Sequence, residues 1–143
     1  MNESLKNIYK RYNNKTLAEG WSSVSKEYNN YQNALKRALT KLASELGAEL
    51  VSFTKGHYFE SAVFHRNGHY VYLHHESLNR THIDFDNGYG KFDISCYNGR
   101  QSWYARTMAH ATDWRGGCNN WDFNWETLPS KIEKLFNTEH KMV

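Results

Sequence analysis

The sequence predicts an α+β fold: an antiparallel β-meander of five or six strands with a long N-terminal amphipathic helix and a short C-terminal helix. Three observations predict it. Leucines recur at helical spacing in the first third of the chain, three Asn-Gly pairs interrupt alternating segments in the middle, and a single proline precedes a short apolar segment near the end. Asn-Gly between alternating residues is a strong local signal for a two-residue hairpin turn.

The size and composition predict one domain. A chain of 143 residues with 39% apolar residues can bury one core. We expect residues 1–24 to form an N-terminal arm or a short helix, and residues 25–143 to form a single α+β domain. The first residues carry no apolar signal region, and no segment approaches the roughly 20 apolar residues of a membrane span. We therefore expect a cytoplasmic protein without a membrane partner.

The long helix is predicted from about Ser25 to Gly47, because glycine commonly ends helices in the left-handed region. The apolar positions with helical spacing are Leu35, Leu39, Leu42 and Leu46. On the other side of this helix, Lys26, Arg37 and Lys41 fall on one stripe. The polar face of the helix is therefore basic.

The strands are predicted from the turns between them. The Asn-Gly pairs separate residues 58–66 from 69–75, 81–86 from 89–97, and 89–97 from 100–107, and a strand over 49–54 precedes them. Near the C-terminus, Pro129 occupies a first-turn position and predicts a short helix. The apolar face of that helix consists of Ile132, Leu135 and Phe136.

The turn at Asn67-Gly68 also predicts which side chains share a face, because side chains alternate along a strand. The expected pairs are Arg66 with His69, Phe64 with Val71, and Ala62 with Leu73, and their side faces the core. The opposite face then presents Phe59, Ser61, Val63, His65, Tyr70, Tyr72 and His74. Either the 114–125 segment with its three tryptophans covers this aromatic face, or a ligand does. Around Asn98-Gly99 the expected pairs are Cys96 with Gln101, Ile94 with Trp103, and Phe92 with Ala105.

The charge distribution favours a polyanionic partner or an acidic protein face, although an ordinary solvated helix shows a similar excess. The net charge is +3, and residues 1–46 hold eight Lys or Arg against four Asp or Glu. Aromatic rings on a sheet face could stack on bases while cations contact phosphates. The candidate residues for binding nucleic acid or a partner are Lys26, Arg37, Lys41, Arg66, Tyr70, Tyr72, Arg100 and Arg115.

Catalytic and metal sites are weighed as alternatives. The densest cluster of potential metal ligands is His74, His75, His82 and Asp84, but adjacent strand residues point to opposite faces, so at most one of the first two joins a site. A metal-dependent nuclease or hydrolase using His82 and Asp84 is therefore one hypothesis. Cys118 with His110 and Asp113 is a nominal nucleophilic set without a surrounding signature.

We expect no cofactor, because neither a GxxxxGK[ST] nor a GxGxxG motif occurs. Cys96 and Cys118 are the only cysteines, and we expect two free thiols in a reducing compartment, with a single disulfide as the alternative.

Several stretches resemble a group of small proteins that are carried by phages and integrative elements of gut bacteria. The matching stretches are ALKRAL (34–39), LASELGAELVSF (42–53), KGHY (55–58), RNGHYVY (66–72), YART (104–107) and WRGGCNN (114–120), within a resemblance that covers residues 31–136. The resemblance implies a mobile-element origin and a bacterial cytoplasm. It also implies a non-enzymatic role against host defence, with anti-CRISPR inhibition of a CRISPR effector as the leading expectation. A plain nucleic-acid-binding module is the alternative, and the positive charge argues against DNA mimicry.

Overall fold

The structure is a computed structural model that describes residues 3–12, 26–56, 59–76, 78–84, 89–92, 96–97, 100–101, 103–113, 115, 119–120 and 126–140. Its elements, in chain order, are α1 Glu3–Tyr12, α2 Lys26–Glu45, β1 Glu49–Lys55, β2 Phe59–Arg66, β3 His69–Glu76, β4 Leu78–Asp84, β5 Tyr89–Phe92, β6 Cys96–Tyr97, β7 Arg100–Gln101, β8 Trp103–Met108, β9 Asn119–Asn120 and α3 Leu128–Phe136. Helices and antiparallel strands coexist in one fold, so the α+β class is confirmed.

The main sheet has the strand order β1-β2-β3-β8-β9, and all of its pairs are antiparallel. The predicted continuous meander is therefore wrong beyond β3, because the next neighbour in the sheet is β8. Strands β4 and β5 form a separate two-stranded sheet, and β6 and β7 form another. The physical reason lies in β8, whose alternate residues Trp103 and Ala105 are both fully buried and can complete the apolar face that β3 leaves open.

The hairpin between β2 and β3 has the predicted register. Arg66 pairs with His69, Phe64 with Val71, and Ala62 with Leu73. Asn67 and Gly68 both have positive φ, at 50° and 79°, as a two-residue hairpin turn of type I′ requires.

The register predicted around Asn98-Gly99 is correct only near the turn. Cys96 pairs with Gln101 as expected. Phe92 pairs with Leu78, however, and Ala105 pairs with Leu73, so the predicted pair of Phe92 with Ala105 is wrong. Trp103 pairs with His75, and Ile94 lies outside the described residues. The β6–β7 ladder ends after two residue pairs, and β8 then joins β3 instead of continuing the hairpin.

The long helix is present as α2, but it is the second helix, so its prediction as the N-terminal element is corrected. Gly47 follows it with a φ of 68°, which confirms the predicted helix end. The preceding helix α1 contributes Leu5 and Ile8 to the same buried cluster as α2. Their burial gives α1 an apolar contact with the rest of the fold.

The core lies between one face of the main sheet and the helices. Its buried residues are Leu5, Ile8, Tyr28, Tyr31, Leu35, Ala38, Leu39, Leu42, Ala43, Ala62, Phe64, Val71, Leu73, Trp103, Ala105, Leu128, Ile132, Leu135 and Phe136. Helix α3 has Pro129 in its first turn, as predicted, and buries Ile132, Leu135 and Phe136. No helix within the described residues has both the length and the apolar character needed to cross a bilayer.

Candidate functional site

The two N-terminal helices form the most basic part of the described structure. Together α1 and α2 contain seven lysines or arginines against three glutamates. On α2 the side chains of Lys26, Lys36, Arg37 and Lys41 are all exposed. Since the opposite side of α2 is buried in the core, its cations are confined to the outer side.

A groove of about 310 Å³ runs between α1 and α2 on this outer side. Arg11 lines it from α1, and Arg37 and Lys41 line it from α2. Its floor is apolar, with Ile8 from α1 and Ala34 and Ala38 from α2, and Asn7 adds an amide. The small alanine side chains, one helical turn apart, let α1 approach α2 closely and leave the floor shallow. We call this feature the helix groove.

A second, more open depression of about 610 Å³ continues along the outer side of α2. Arg37 and Lys41 line both depressions, and Lys36 lines the second. Within the described part of the chain, the side chains of Lys36, Arg37 and Lys41 make no hydrogen bond and no ion pair. Their charges are therefore available to a polyanion. Lys26 lies at the start of α2, is exposed, and lines neither depression.

Arg66 is held inside the fold. Its guanidinium donates to Glu133 Oε2 at 2.5 Å and to the Leu46 carbonyl oxygen at 3.0 Å, and it lies 4.6 Å from the centre of the Phe136 ring. The side chain is only 17% exposed. Arg66 on β2 thus links the residue after α2 to α3, and its donors are directed into the fold.

Tyr70 lies on the sheet face opposite the core, as predicted, since the alternating residues Val71 and Leu73 are buried. Its ring is half-buried between His65 and His110, at centroid distances of 4.7 and 5.0 Å. Neighbouring rings therefore already occupy much of the surface on which a base could stack.

Tyr72 lies on the same face, and neighbouring side chains contact both its hydroxyl and its ring. Its hydroxyl lies 3.0 Å from His74 Nδ1, and its ring meets Tyr104 edge-on at 6.2 Å. Burial raises the pKa of Tyr72, and the nearby Tyr104 and Glu76 act in the same direction, although a hydrogen bond with Ser61 opposes them. The 114–125 segment is one of the two expected coverings of this face, and most of it lies outside the described residues. Its described strand β9 pairs with β8.

The remaining candidate cations lie elsewhere in the fold. Arg100 is in β7 opposite Tyr97, and nothing is described of its side chain. Arg115 is highly exposed and forms an ion pair with Asp113, with Nη2 2.7 Å from Oδ2. The Arg115 guanidinium holds the pKa of Asp113 well below its ordinary value, and Asp113 in turn raises the pKa of Arg115. The charge of Arg115 is thus compensated locally.

A buried polar cluster, which sequence reasoning missed, joins α2 to the core face of the sheet. Glu60 on β2 and His75 on β3 are paired across the strands and are each 1% exposed. Glu60 Oε2 accepts hydrogen bonds from the Tyr28 hydroxyl at 2.7 Å and from Gln32 Nε2 at 3.1 Å. Its Oε1 lies 3.2 Å from His75 Nδ1.

His75 occupies the centre of this cluster. Its Nδ1 is also 3.0 Å from the Tyr31 hydroxyl, and its ring stacks on Trp103 at a centroid distance of 4.1 Å. Its Nε2 has no hydrogen-bond partner and is buried. Donation from Nδ1 to Glu60 would leave a lone pair on Nε2, which is the tautomer that this arrangement favours.

The hydrogen bonds of this cluster hold α2 against the sheet. A carboxylate beside an imidazole resembles a general base, but such a base must reach the proton of a bound substrate. The gap beside His75, lined by Leu35, Leu39 and Phe53, has no room for a water-sized sphere. A sequence signal did exist, because Tyr28, Tyr31 and Gln32 share the helical spacing of the leucines, and Glu60 alternates with Ala62 on the core side.

The structure describes only part of the residues considered for metal or nucleophilic chemistry. His75 is in the core, whereas His74 faces the other way and lies 2.9 Å from Glu76, which confirms their predicted divergence. The side chains of His82 and Asp84, and the whole of Cys118, lie outside the described side chains. Within the described residues, no group of three or more His, Cys, Asp or Glu is placed to hold a metal ion. His110 and Asp113 form an isolated bridge.

Comparisons with models of known protein families, with curated proteins and with solved structures find no match to this chain.

Proposed function

We propose that this chain is a non-enzymatic binding protein of a phage or mobile element that inhibits a host nucleoprotein in the bacterial cytoplasm. The target that we propose is a CRISPR effector. The observation that carries the proposal is the outer side of α2, where Lys36, Arg37 and Lys41 are exposed and make no ion pair with the described residues. We call Arg11, Lys26, Lys36, Arg37 and Lys41 together the basic helix surface.

The electrostatics support contact with the nucleic acid of the target. Neutralising phosphates releases condensed counterions, so uncompensated Lys and Arg side chains gain affinity for a nucleic acid that paired ones do not. Arg66 and Arg115 are paired with Glu133 and Asp113, whereas Arg37 and Lys41 are not paired within the described residues. The same charge opposes an inhibitor that imitates DNA, which would need an acidic surface.

The test is reconstitution with purified CRISPR effectors loaded with guide RNA. We expect the wild-type protein to co-elute with one of them on gel filtration and to reduce cleavage of target DNA. The triple variant Lys26→Glu, Arg37→Glu, Lys41→Glu should elute separately and leave cleavage intact. The matched control Lys6→Glu, Lys10→Glu, Lys134→Glu reverses as many exposed charges outside this surface and should still form the complex.

The outcomes separate direct inhibition from its alternatives. Loss of CRISPR interference in cells without any complex would contradict direct inhibition, and so would a charge-reversed triple variant that still inhibits. Affinity capture from the bacterial host, followed by mass spectrometry and sequencing of bound nucleic acid, would identify a nucleoprotein of another kind.

The second candidate function is a nucleic-acid-binding module that acts without an effector, and the same surface favours it. In that case short RNA or DNA alone should bind, with an affinity that falls steeply as salt is raised. Binding without salt dependence, or no binding, would end this alternative while leaving the first to be decided by the reconstitution.

A further inference from the structure

We infer that the helix groove binds the backbone of a single-stranded nucleic acid, with Arg11, Arg37 and Lys41 around a phosphate and the alanine floor under the adjoining sugar or base. The inference deepens the proposed function and rests on it, because it specifies which component of a nucleoprotein the chain contacts and where. It depends on both helices, since each contributes cations and floor to the same groove.

The first argument is the convergence of charge. Arg37 and Lys41 are four residues apart on α2 and therefore lie on the same side of neighbouring turns. Arg11 reaches the same groove from α1. Arg37 and Lys41 make no ion pair within the described residues, so their like charges repel each other, and an anion in the groove of about 310 Å³ would relieve that repulsion.

The second argument is the apolar floor. A site for inorganic anions needs only donors, but Ile8, Ala34 and Ala38 place apolar surface between the cations. A nucleotide carries both kinds of surface, a charged phosphate and a flat or apolar sugar and base. Arg side chains suit both, because the planar guanidinium donates to phosphate oxygens and stacks on bases. Asn7 adds one donor group and one acceptor to the groove, which could bond to the edge of a base.

The third argument is the size of the groove, which has a volume of about 310 Å³. The volume of the groove is close to the lower limit of about 300 Å³ for small-molecule sites. A single nucleotide suits a site of this size, and the bases of a single strand can reach the apolar floor, whereas those of a duplex are already stacked and paired.

The experiment measures fluorescence anisotropy of labelled single-stranded RNA, single-stranded DNA and a hairpin duplex, titrated with the full chain over a range of salt concentrations. We expect single strands to bind more tightly than the duplex, and the RNA and DNA arms decide which backbone is preferred. The groove variant Arg11→Gln, Arg37→Gln, Lys41→Gln should lose about 10- to 100-fold in affinity, and its salt slope should fall by about 2, from three contacts at about 0.7 each.

Two further variants separate the groove from diffuse attraction. The control Lys6→Gln, Lys10→Gln, Lys134→Gln removes the same charge from exposed positions outside the groove and should lose much less. Ala34→Gln changes no charge but raises the floor, and it should weaken single-strand binding while circular dichroism shows an unchanged fold. Gln is a good helix former, so α2 should tolerate it.

Several results would overturn the inference. Equal losses in the groove and control variants, duplex binding as tight as single-strand binding, or an Ala34→Gln variant with full affinity would each exclude a groove site. Competition by polyglutamate as strong as that by an oligonucleotide of equal charge would point to an acidic protein segment instead. If neither RNA nor DNA binds but the chain still co-elutes with an effector, the inference fails and the proposed function stands. If neither result is obtained, both fail.

Discussion

The two sides of α2 use polar residues in opposite ways. On the inner side, Tyr28, Tyr31 and Gln32 are buried and make hydrogen bonds to Glu60, His75 and the Gly56 carbonyl. On the outer side, Lys36, Arg37 and Lys41 are exposed and make no side-chain hydrogen bond within the described residues. Both sides carry polar residues, so the presence of a polar side chain does not by itself distinguish them.

The two sides of α2 differ in whether their polar residues are explained by the fold. A buried polar group costs free energy unless it is paired, so the inner residues are explained by the fold that they stabilise. The outer cations Lys36, Arg37 and Lys41 make no side-chain hydrogen bond or ion pair within the described residues, so the same explanation does not apply to them. Arg37 and Lys41 line one groove together with Arg11, and the proposed ligand site is based on this arrangement. The following predictions test this division, from the largest expected change in stability to the smallest.

The largest effect is expected from Glu60→Ala, which removes the acceptor for Tyr28 and Gln32 and leaves His75 without its carboxylate. A buried group left without its hydrogen-bond partner costs roughly 1–3 kcal/mol, and Glu60 has three partners within the described residues, so we expect the free energy of unfolding to fall by at least about 3 kcal/mol. Urea unfolding at neutral pH measures it.

The double variant Glu60→Leu, His75→Leu tests the cause of this loss of stability. Replacing both partners by apolar side chains should recover part of the stability, because no unpaired imidazole remains. If Glu60→Ala costs less than about 1 kcal/mol, which is the typical net value of one ordinary hydrogen bond, the cluster does not stabilise α2 on the sheet as described.

A smaller effect is expected from removing one hydroxyl. Tyr28→Phe deletes the 2.7 Å hydrogen bond to a carboxylate oxygen, whereas Tyr31→Phe deletes a 3.0 Å contact with an imidazole nitrogen. Hydrogen bonds to carboxylates are stronger than those between neutral groups, so we expect a loss of about 1.5–3 kcal/mol for Tyr28→Phe and about 0.5–1.5 kcal/mol for Tyr31→Phe. The reverse order, measured by the same urea unfolding, would show that Tyr31 is the stronger link between α2 and the sheet.

The smallest effect on stability is expected on the outer side. Arg37→Gln with Lys41→Gln should change the free energy of unfolding by less than about 0.5 kcal/mol, because both side chains are exposed. A loss above about 1 kcal/mol would mean that these cations hold α1 against α2 and would remove the distinction between the two sides.

The sequence alone was sufficient to predict those elements whose signal lies within a few residues. Helix α2 follows from leucine spacing and Gly47, and the β2–β3 register follows from Asn67-Gly68, because each pattern acts over a few residues. The predicted register was wrong at β8, because the turn at Asn98-Gly99 determines only the pairs next to it. Beyond Gln101, β8 pairs with β3, and that pairing depends on burying Trp103 and Ala105.

The candidate site was predictable to a lesser degree. Arg37 and Lys41 share a helical stripe, which the sequence shows directly, whereas the contribution of Arg11 requires knowing that α1 packs on α2. Arg66 looked like a free cation because its partner Glu133 is 67 residues away along the chain. The buried polar cluster combines α2 with two strands. Helical spacing and strand alternation indicate that its members face the core, but no local pattern indicates that they contact one another.

The position of Arg66 has a consequence for how the molecule opens. Its guanidinium bridges the Leu46 carbonyl, just after the long helix, and Glu133 on the last one, so undocking the C-terminal helix would break the ion pair with Glu133 and the contact with the Phe136 ring. These contacts tie two segments from opposite ends of the chain into one cooperative unit. Amide hydrogens of α3 should therefore exchange with solvent at rates close to those at the end of α2, although terminal helices commonly fray independently.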